Sequence, residues 1–242
     1  MLKNLNIEEV LFIDIETVPI APEFSDLNEK WQQLWEHKME YHVNDDEPAE
    51  VLYDRAGIYA EFGRIICISA GYVLQKQGEL FFRVKSFADD DEKTLISNFI
   101  IAWEAFLRAG KRRLCAHNGL EFDFPYIARR ALVNNLSLPK ILDTATAKPW
   151  EIKNNLIDTL QLWKFGNYKH FTSLSLLCEL FNIPSPKDDI DGSQVAQIYW
   201  EKKDLDRIIR YCEKDTLAVA NLLLKYKGNK IIPAENMEIA ID

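Results

Sequence analysis

The sequence predicts an α/β fold in which a mixed central β-sheet is flanked by α-helices, and three observations carry that prediction. The apolar run Val10-Leu11-Phe12-Ile13 reads as a buried strand. Two longer strand-like runs, Ile65 to Leu74 and Glu79 to Lys85, are separated by Gln77-Gly78, the usual look of a tight hairpin. From residue 89 onward helical and strand-like segments alternate, as they do where helices cover a sheet.

Along the chain, the first strand is followed by an insertion-like segment, residues 20–63. It carries Trp31, Trp35, Tyr41, Tyr53 and Tyr59 and has helical stretches around 26–41 and 48–61. Its aromatics are expected to pack as core, and the segment itself is a candidate gate or partner contact. After the hairpin, Asp89-Asp90-Asp91-Glu92 opens a helix through Ala109, with acids at the positive end of the helix dipole and Gly110 past its end. Leu114 to Ala116 is a short strand and Phe122 to Val133 a helix. Leu156 to Leu162 reads as an extended or helix-start segment, and Thr172 is expected to cap a helix to Phe181. Two helices fill most of 193–226. The tail 231–242 has little pattern and is expected to be loosely ordered. With no internal repeat or low-complexity linker, residues 1–242 read as a single domain.

A chain of 242 residues that is 48% hydrophobic can bury a large core. No stretch approaches the roughly 18 apolar residues of a membrane span, and the N-terminus lacks a basic segment followed by an apolar one. A soluble, cytoplasmic protein with no membrane partner is therefore expected. Cys67, Cys115, Cys178 and Cys212 stand alone in apolar segments without Cys-x-x-Cys spacing, as buried thiols do. The net charge of −9 looks wrong for a nucleic-acid partner. Residues 20–63 alone hold eleven acids against Lys30, Lys38 and Arg55, a net of −8, so the rest of the chain is near neutral and phosphodiester substrates stay open.

Three motifs carry chemistry. Asp14-Ile15-Glu16-Thr17 ends the first apolar run, so two carboxylates would emerge where a buried strand leaves the core, which suggests a bound cation. Asp45/Glu47 and Asp90/Glu92 share the spacing but lie in polar acidic stretches, where solvated surface is the default. The second motif is His117-Asn118-Gly119-Leu120-Glu121-Phe122-Asp123, following an apolar strand and opening a helix. Its Asn-x-x-x-Phe-Asp core is expected only about 0.06 times by chance at this composition, although Asn and Asp also serve simply as helix caps. The third is Tyr211-Cys212-Glu213-Lys214-Asp215, whose spacing of four puts phenol and carboxylate on one helix face, with Ala218 and Leu222 continuing that line toward the core. That spacing alone is weak, and Tyr41/Asp45 repeats it.

In this order the three motifs resemble the DEDDy branch of the 3'-5' exonucleases, which have a ribonuclease H-like fold and include the proofreading domain of family-B DNA polymerases. The stand-alone, predicted polymerase-B-like 3'-5' exonucleases are the most similar in appearance. Phe62-Gly63-Arg64-Ile65, Lys148-Pro149-Trp150, Leu162-Trp163-Lys164-Phe165-Gly166 and Asp191-Gly192-Ser193 also look like that group, so the resemblance spans roughly residues 8–225.

The resemblance implies that Asp14, Glu16, Asp123 and Asp215 bind two divalent cations and that Tyr211 positions the attacking water. Carboxylate oxygens suit Mg2+ or Mn2+, and phosphoryl chemistry uses two such ions about 4 Å apart. A phenol with an unperturbed pKa of about 10 is a poor base at neutral pH and a good hydrogen-bonding guide for water. The other branch of the superfamily, as the resemblance implies, has a histidine near that place; of His37, His42, His117 and His170, none lies four or five residues before Asp215.

Thr17, His117, Asn118 and Phe122 are candidate substrate contacts. Asn118 would hydrogen-bond, Phe122 would stack on the terminal base or pack as core, and His117 would touch phosphate or be a satisfied structural residue. Asp158 is either an acid close to the metal ligands or a helix cap. Arg108, Lys111, Arg112, Arg113, Arg129, Arg130, Lys164 and Lys169 are candidate phosphate contacts, a pattern that more often marks a solvated face.

The reading that follows is a metal-dependent exonuclease releasing nucleoside monophosphates from the 3' end of nucleic acid, DNA and single strands favoured over RNA and duplex. The alternatives are a catalytically silent nucleic-acid-binding module on a nuclease fold and an interaction protein that uses the acidic insertion. Four carboxylates repel phosphate unless metal is bound, which favours the enzyme. A polymerase domain has no room in this length, so any proofreading is expected to involve a separate polymerase or repair protein.

Overall fold

The computed structural model describes residues 2–44, 46–167, 171–184 and 190–240. The ordered elements are β1 (Val10–Pro19), α1 (Glu29–Met39), α2 (Ala49–Leu52), β2 (Gly63–Lys76), β3 (Glu79–Ala88), α3 (Glu92–Arg108), β4 (Arg113–Ala116) and α4 (Asp123–Val133). They continue with α5 (Pro149–Asn155), β5 (Leu156–Asp158), α6 (Thr159–Lys164), α7 (Leu174–Phe181), α8 (Val195–Gln197), α9 (Leu205–Tyr226) and β6 (Met237–Ile239). The strands form one mixed sheet in the order β5-β4-β1-β2-β3-β6. β1 runs parallel to β4 and antiparallel to β2, and β3 closes its hairpin with β2 through Gln77 and Gly78, at φ 51° and 88°. Positive φ at both central residues matches the twist of the flanking strands.

Side-chain alternation along β1 decides which helices meet which residues. Leu11, Ile13 and Ile15 face α3 and α4, packing with Leu95, Ile96, Phe99, Phe124 and Ile127. Val10 and Phe12 face the other way, onto Val219, Ala220, Leu223 and Leu224 of α9. Asp14 and Glu16 share the parity of Phe12, so they belong to the α9 face of the sheet. Each fully buried aliphatic or aromatic side chain contributes about 1.5–3 kcal/mol, and these two layers clamp β1 between them.

Three expectations are corrected. β1 does not end at Ile13: it continues to Pro19 because β2 keeps pairing with it, through a bulge between Glu16 and Thr17. β4 pairs only with Val10 to Phe12, so the acids mark where β1 parts from β4 while still held by β2. Ser173, not Thr172, caps α7, its hydroxyl accepting from the Leu176 N–H. The described part of the tail is ordered: Ile232 is fully buried, the Asn221 amide bonds both its N–H and its carbonyl, and β6 extends the sheet beside β3.

The insertion makes a core of its own. Trp35, Tyr53 and Phe62 pack edge to face, and the Trp35 indole donates to the Ala49 carbonyl at 2.7 Å. It is fastened to β1 and to α4 where the Thr17 and Tyr126 hydroxyls both donate to the Gly57 carbonyl at 2.8 Å. Among the described residues no helix is long and apolar enough to cross a membrane.

Candidate metal centre

β1 supplies Asp14 and Glu16, the first turn of α4 supplies Asp123, and α9 supplies Tyr211 and Asp215. Past Phe12 the β4-side edge of β1 is vacant, because the chain after Ala116 turns into the His117–Phe122 loop. The Asp123 carboxylate fills that vacancy, accepting the Ile15 N–H and its own backbone N–H. On α9, Tyr211 and Asp215 are buried on one helix face and the phenol is hydrogen-bonded to the Asp215 carboxylate. The next residue, Cys212, is fully buried, and its thiol donates to both the Asp14 carbonyl and its Oδ2, each at 3.4 Å. Ligand atoms of Asp14, Glu16 and Cys212 all lie within 4.8 Å of one another.

The electrostatics of this arrangement are unfavourable for a protein on its own. Burial, with repulsion from Asp215, Glu16 and Asp123 behind it, holds the Asp14 carboxyl well above the usual carboxylate range. Burial and Asp215 do the same to Glu16. Asp123 is pushed up to about 7, first by burial and then by Asp158 and Asp215, against the lowering effect of its backbone bonds. Burial and the three neighbouring acids Asp215, Glu16 and Asp14 raise the Tyr211 phenol far above its ordinary value. Among the described residues, burial and other acids are the leading causes that raise Asp14, Glu16 and Asp123. Close, buried carboxylates of this kind suit a hard divalent cation, whose charge would reverse each of these shifts.

The second motif is held by Asp158. Its Oδ1 caps α6 by accepting from Leu160 and Gln161, and also accepts the Asn118 N–H at 3.0 Å; its Oδ2 accepts the Leu120 N–H at 3.1 Å. The cap and the support of the motif are thus one side chain. Asn118 is left-handed at φ 63°. Gly119 follows in a space where a Cβ would come within 2.5 Å of the Ala116 Cβ. The Asn118 Oδ1 is buried without a partner among the described residues, so one acceptor of the predicted substrate contact remains open. Phe122 precedes the first residue of α4, half-buried, with its ring 5.3 Å from that of Tyr126.

Other predicted contacts are occupied internally. The His117 Nδ1 pairs with the Thr159 hydroxyl at 2.9 Å and Nε2 with the Thr172 carbonyl at 3.0 Å, while burial lowers its pKa. This is the satisfied structural histidine, not a free phosphate contact. The Thr17 hydroxyl likewise donates into the insertion. Lys111, Arg112 and Arg113 stand at the start of β4, the end away from the acids. Lys111 donates to the Glu8 carbonyl, Arg113 lies 3.7 Å from Glu9 and Arg108 lies 3.9 Å from Glu104. Arg130 is buried against Glu92. Arg112 and Arg129 are exposed. Lys169, His170 and Asp45 lie outside the described residues. Sequence reasoning missed Cys212 as a neighbour of Asp14; its position directly after Tyr211 was the available signal.

Residues 58–230 match a family described as predicted 3'-5' exonucleases related to the exonuclease domain of PolB. The matched stretch contains Asp123, Tyr211 and Asp215 and begins after Asp14 and Glu16, which the fold brings to the same place. The chain superposes on the family B DNA polymerase of the hyperthermophilic archaeon Pyrobaculum calidifontis with a TM-score of 0.57 and 14% identity, covering 90% of this chain and 24% of the polymerase. At that identity the likeness concerns the fold alone, a mixed sheet between helices. An uncharacterised protein of Methanocaldococcus jannaschii is 26% identical over 116 residues, 47% of this chain and 58% of that relative.

Proposed function

Because the chain belongs to the family of predicted 3'-5' exonucleases related to the exonuclease domain of PolB, we propose that it hydrolyses phosphodiester bonds from the 3' end of nucleic acid. Single-stranded DNA is the preferred substrate in this reading, and nucleoside monophosphates are the products. The observation that carries it is the convergence of Asp14, Glu16, Asp123 and Asp215 with the Tyr211 phenol where β1 parts from β4. Two divalent cations, Mg2+ or Mn2+, would neutralise charge developing on the phosphoryl oxygens and acidify a water there.

The remaining roles belong to the chain itself. Tyr211 orients the attacking water through its hydroxyl; a phenol, with an ordinary pKa of about 10, is a poor base at neutral pH and a good hydrogen-bonding guide. The Cys212 thiol fixes the rotamer of Asp14 by bonding its Oδ2. Asp158 fixes the backbone of Asn118 and Leu120, which leaves the open Asn118 Oδ1 as a donor-seeking contact for the terminal nucleotide. A separate polymerase or repair protein is the proposed partner if the enzyme serves replication.

The test is digestion of 5'-labelled single-stranded DNA and RNA with Mg2+ or Mn2+, against EDTA and Asp14→Asn. A metal-dependent ladder shortening from the 3' end, absent in the variant, is expected, and its rate on the two strands ranks the sugars. Strands that are bound by the wild type and left intact with either metal would favour the silent binding module instead.

A further inference from the structure

Two exposed phenylalanine rings flank the loop that carries the second motif, and the core claims neither. Phe165 is 92% exposed and stands at φ 45°, a left-handed conformation that side chains other than glycine rarely adopt. An aromatic ring placed there gains nothing from packing. It ends α6, which is tied to the motif loop along its length. Asp158 bonds Asn118 and Leu120 at one end, while Gln161 donates to the Glu121 carboxylate at 3.3 Å and Lys164 lies 3.9 Å from it near the other. Phe171 is 64% exposed and meets His117 edge on, with centroids 6.5 Å apart; the carbonyl of the next residue, Thr172, pairs with the same imidazole. Both rings are therefore mounted on supports fastened to the residues that lead into Asp123.

The charge around them argues for their occupant. Among the described residues, Lys164, the cation next to Phe165, already faces Glu121, and the chain outside residues 20–63 is near neutral. Lys164 is thus a weak attractor of phosphate, whereas the faces of unpaired bases stack on exposed aromatic rings without regard to net charge. Resting on the exonuclease reading above, we propose that Phe165 and Phe171 form a stacking platform for the bases of a single strand behind its 3'-terminal nucleotide. Paired bases cannot reach such rings, so the platform gives the site its preference for single strands.

Binding of a labelled decathymidylate and of an abasic strand of equal length, both with hydrolysis-resistant phosphorothioate linkages in Mg2+, tests this by fluorescence anisotropy. The wild type should bind the base-bearing strand about tenfold tighter. F165A/F171A should bring that ratio close to one without changing the dependence of Kd on salt, and F165W should keep it. An unchanged ratio in the double variant overturns the platform, as does a wild type that binds neither strand or both alike. If the wild type self-associates in sedimentation velocity and the double variant stays monomeric with no difference between strands, the rings serve a protein contact and the proposal falls. Because no bond is cleaved, failure here leaves the digestion result standing, and failure of digestion leaves this one.

Discussion

Buried carboxylates around Glu92 and around Asp14 are accommodated in opposite ways in this fold. Glu92, at the start of α3, receives Arg130 Nε and Nη2 at 2.9 and 2.6 Å, Asn134 Nδ2 at 2.9 Å and the Ile65 N–H at 2.7 Å. Arg130 also donates to the Ala60 carbonyl, so one ion pair ties α3, α4, β2 and the end of the insertion together. Glu16 and Asp123 are as buried and Asp14 is half-buried; Asp123 receives backbone amides and Asp14 a thiol, and the three otherwise face one another and Asp215. A buried acid with a complete set of donors is finished as structure. A buried cluster whose charges oppose each other has to hold protons or take up a cation.

The largest effect should come from removing a charge at the second cluster. D14N and D215N are each expected to lower kcat by about 10³-fold or more, since each takes away transition-state charge stabilisation worth several kcal/mol. Both variants should still fold, as judged by far-UV circular dichroism. Turnover at the wild-type rate in either would remove that residue from the site.

At the first cluster the same kind of change should strike stability. R130M leaves Glu92 buried without its countercharge and is expected to cost about 3–5 kcal/mol in urea unfolding. Replacing both partners, as in E92L/R130M, should cost less than the single change because no unpaired charge is left. A single variant within about 1 kcal/mol of wild type would mean that Arg130 does not anchor these elements.

The clusters should also differ in their response to pH. Asp123, at about 7 in the folded protein against an ordinary 3.8, keeps its proton where the unfolded chain has released it. Its contribution to stability is whole below about pH 4 and is lost as pH rises through about 7. In EDTA, Tm should therefore fall by about 2–3 °C between pH 6.5 and 8.5, at about 2–4 °C per kcal/mol. His117, whose pKa is lowered, acts mainly below that window. D14N should flatten the slope by relieving repulsion, and Mg2+ or Mn2+ should restore Tm at pH 8.5. A flat profile in the metal-free wild type would show that Asp123 is ordinary.

How much of this was legible follows from the range over which each signal acts. The sheet was readable because Val10–Ile13 and the hairpin carry their period locally, and the second motif because Asn118 and Asp123 lie within one turn of chain. The length of β1 was not, since Asp14 and Glu16 interrupt the apolar run and only pairing with Cys67 and Ser69 keeps them in the strand. β6 is three residues long, too short to show a period. The acid set was legible by type, yet whether a polar group is free is decided by distant partners. Thr17 spends its hydroxyl on Gly57, forty residues away, and His117 finds Thr172 fifty-five residues on. For the same reason the expectation of a solvated surface for the Asp90/Glu92 pair fails at Glu92, which is buried because Arg130, Asn134 and the Ile65 N–H reach it from distant elements.

Tyr211 gives the smallest and most discriminating of these tests, because it lies between the two kinds of group. Its phenol is buried and hydrogen-bonded like a structural residue, but its partner is Asp215, a member of the charged cluster. If the hydroxyl orients water, Y211F should lower kcat by about 10- to 100-fold, or roughly 1.4–2.7 kcal/mol, with KM nearly unchanged, because the contact matters in the transition state and hardly at all in substrate binding. The pH–rate profile should keep its shape if the phenol only orients water and passes no proton. A loss of stability with unaltered kcat would make Tyr211 a core residue that happens to sit beside the acids. A profile that loses its basic limb on substitution would make it the base, and the orienting role would then have to pass to another group near Asp215.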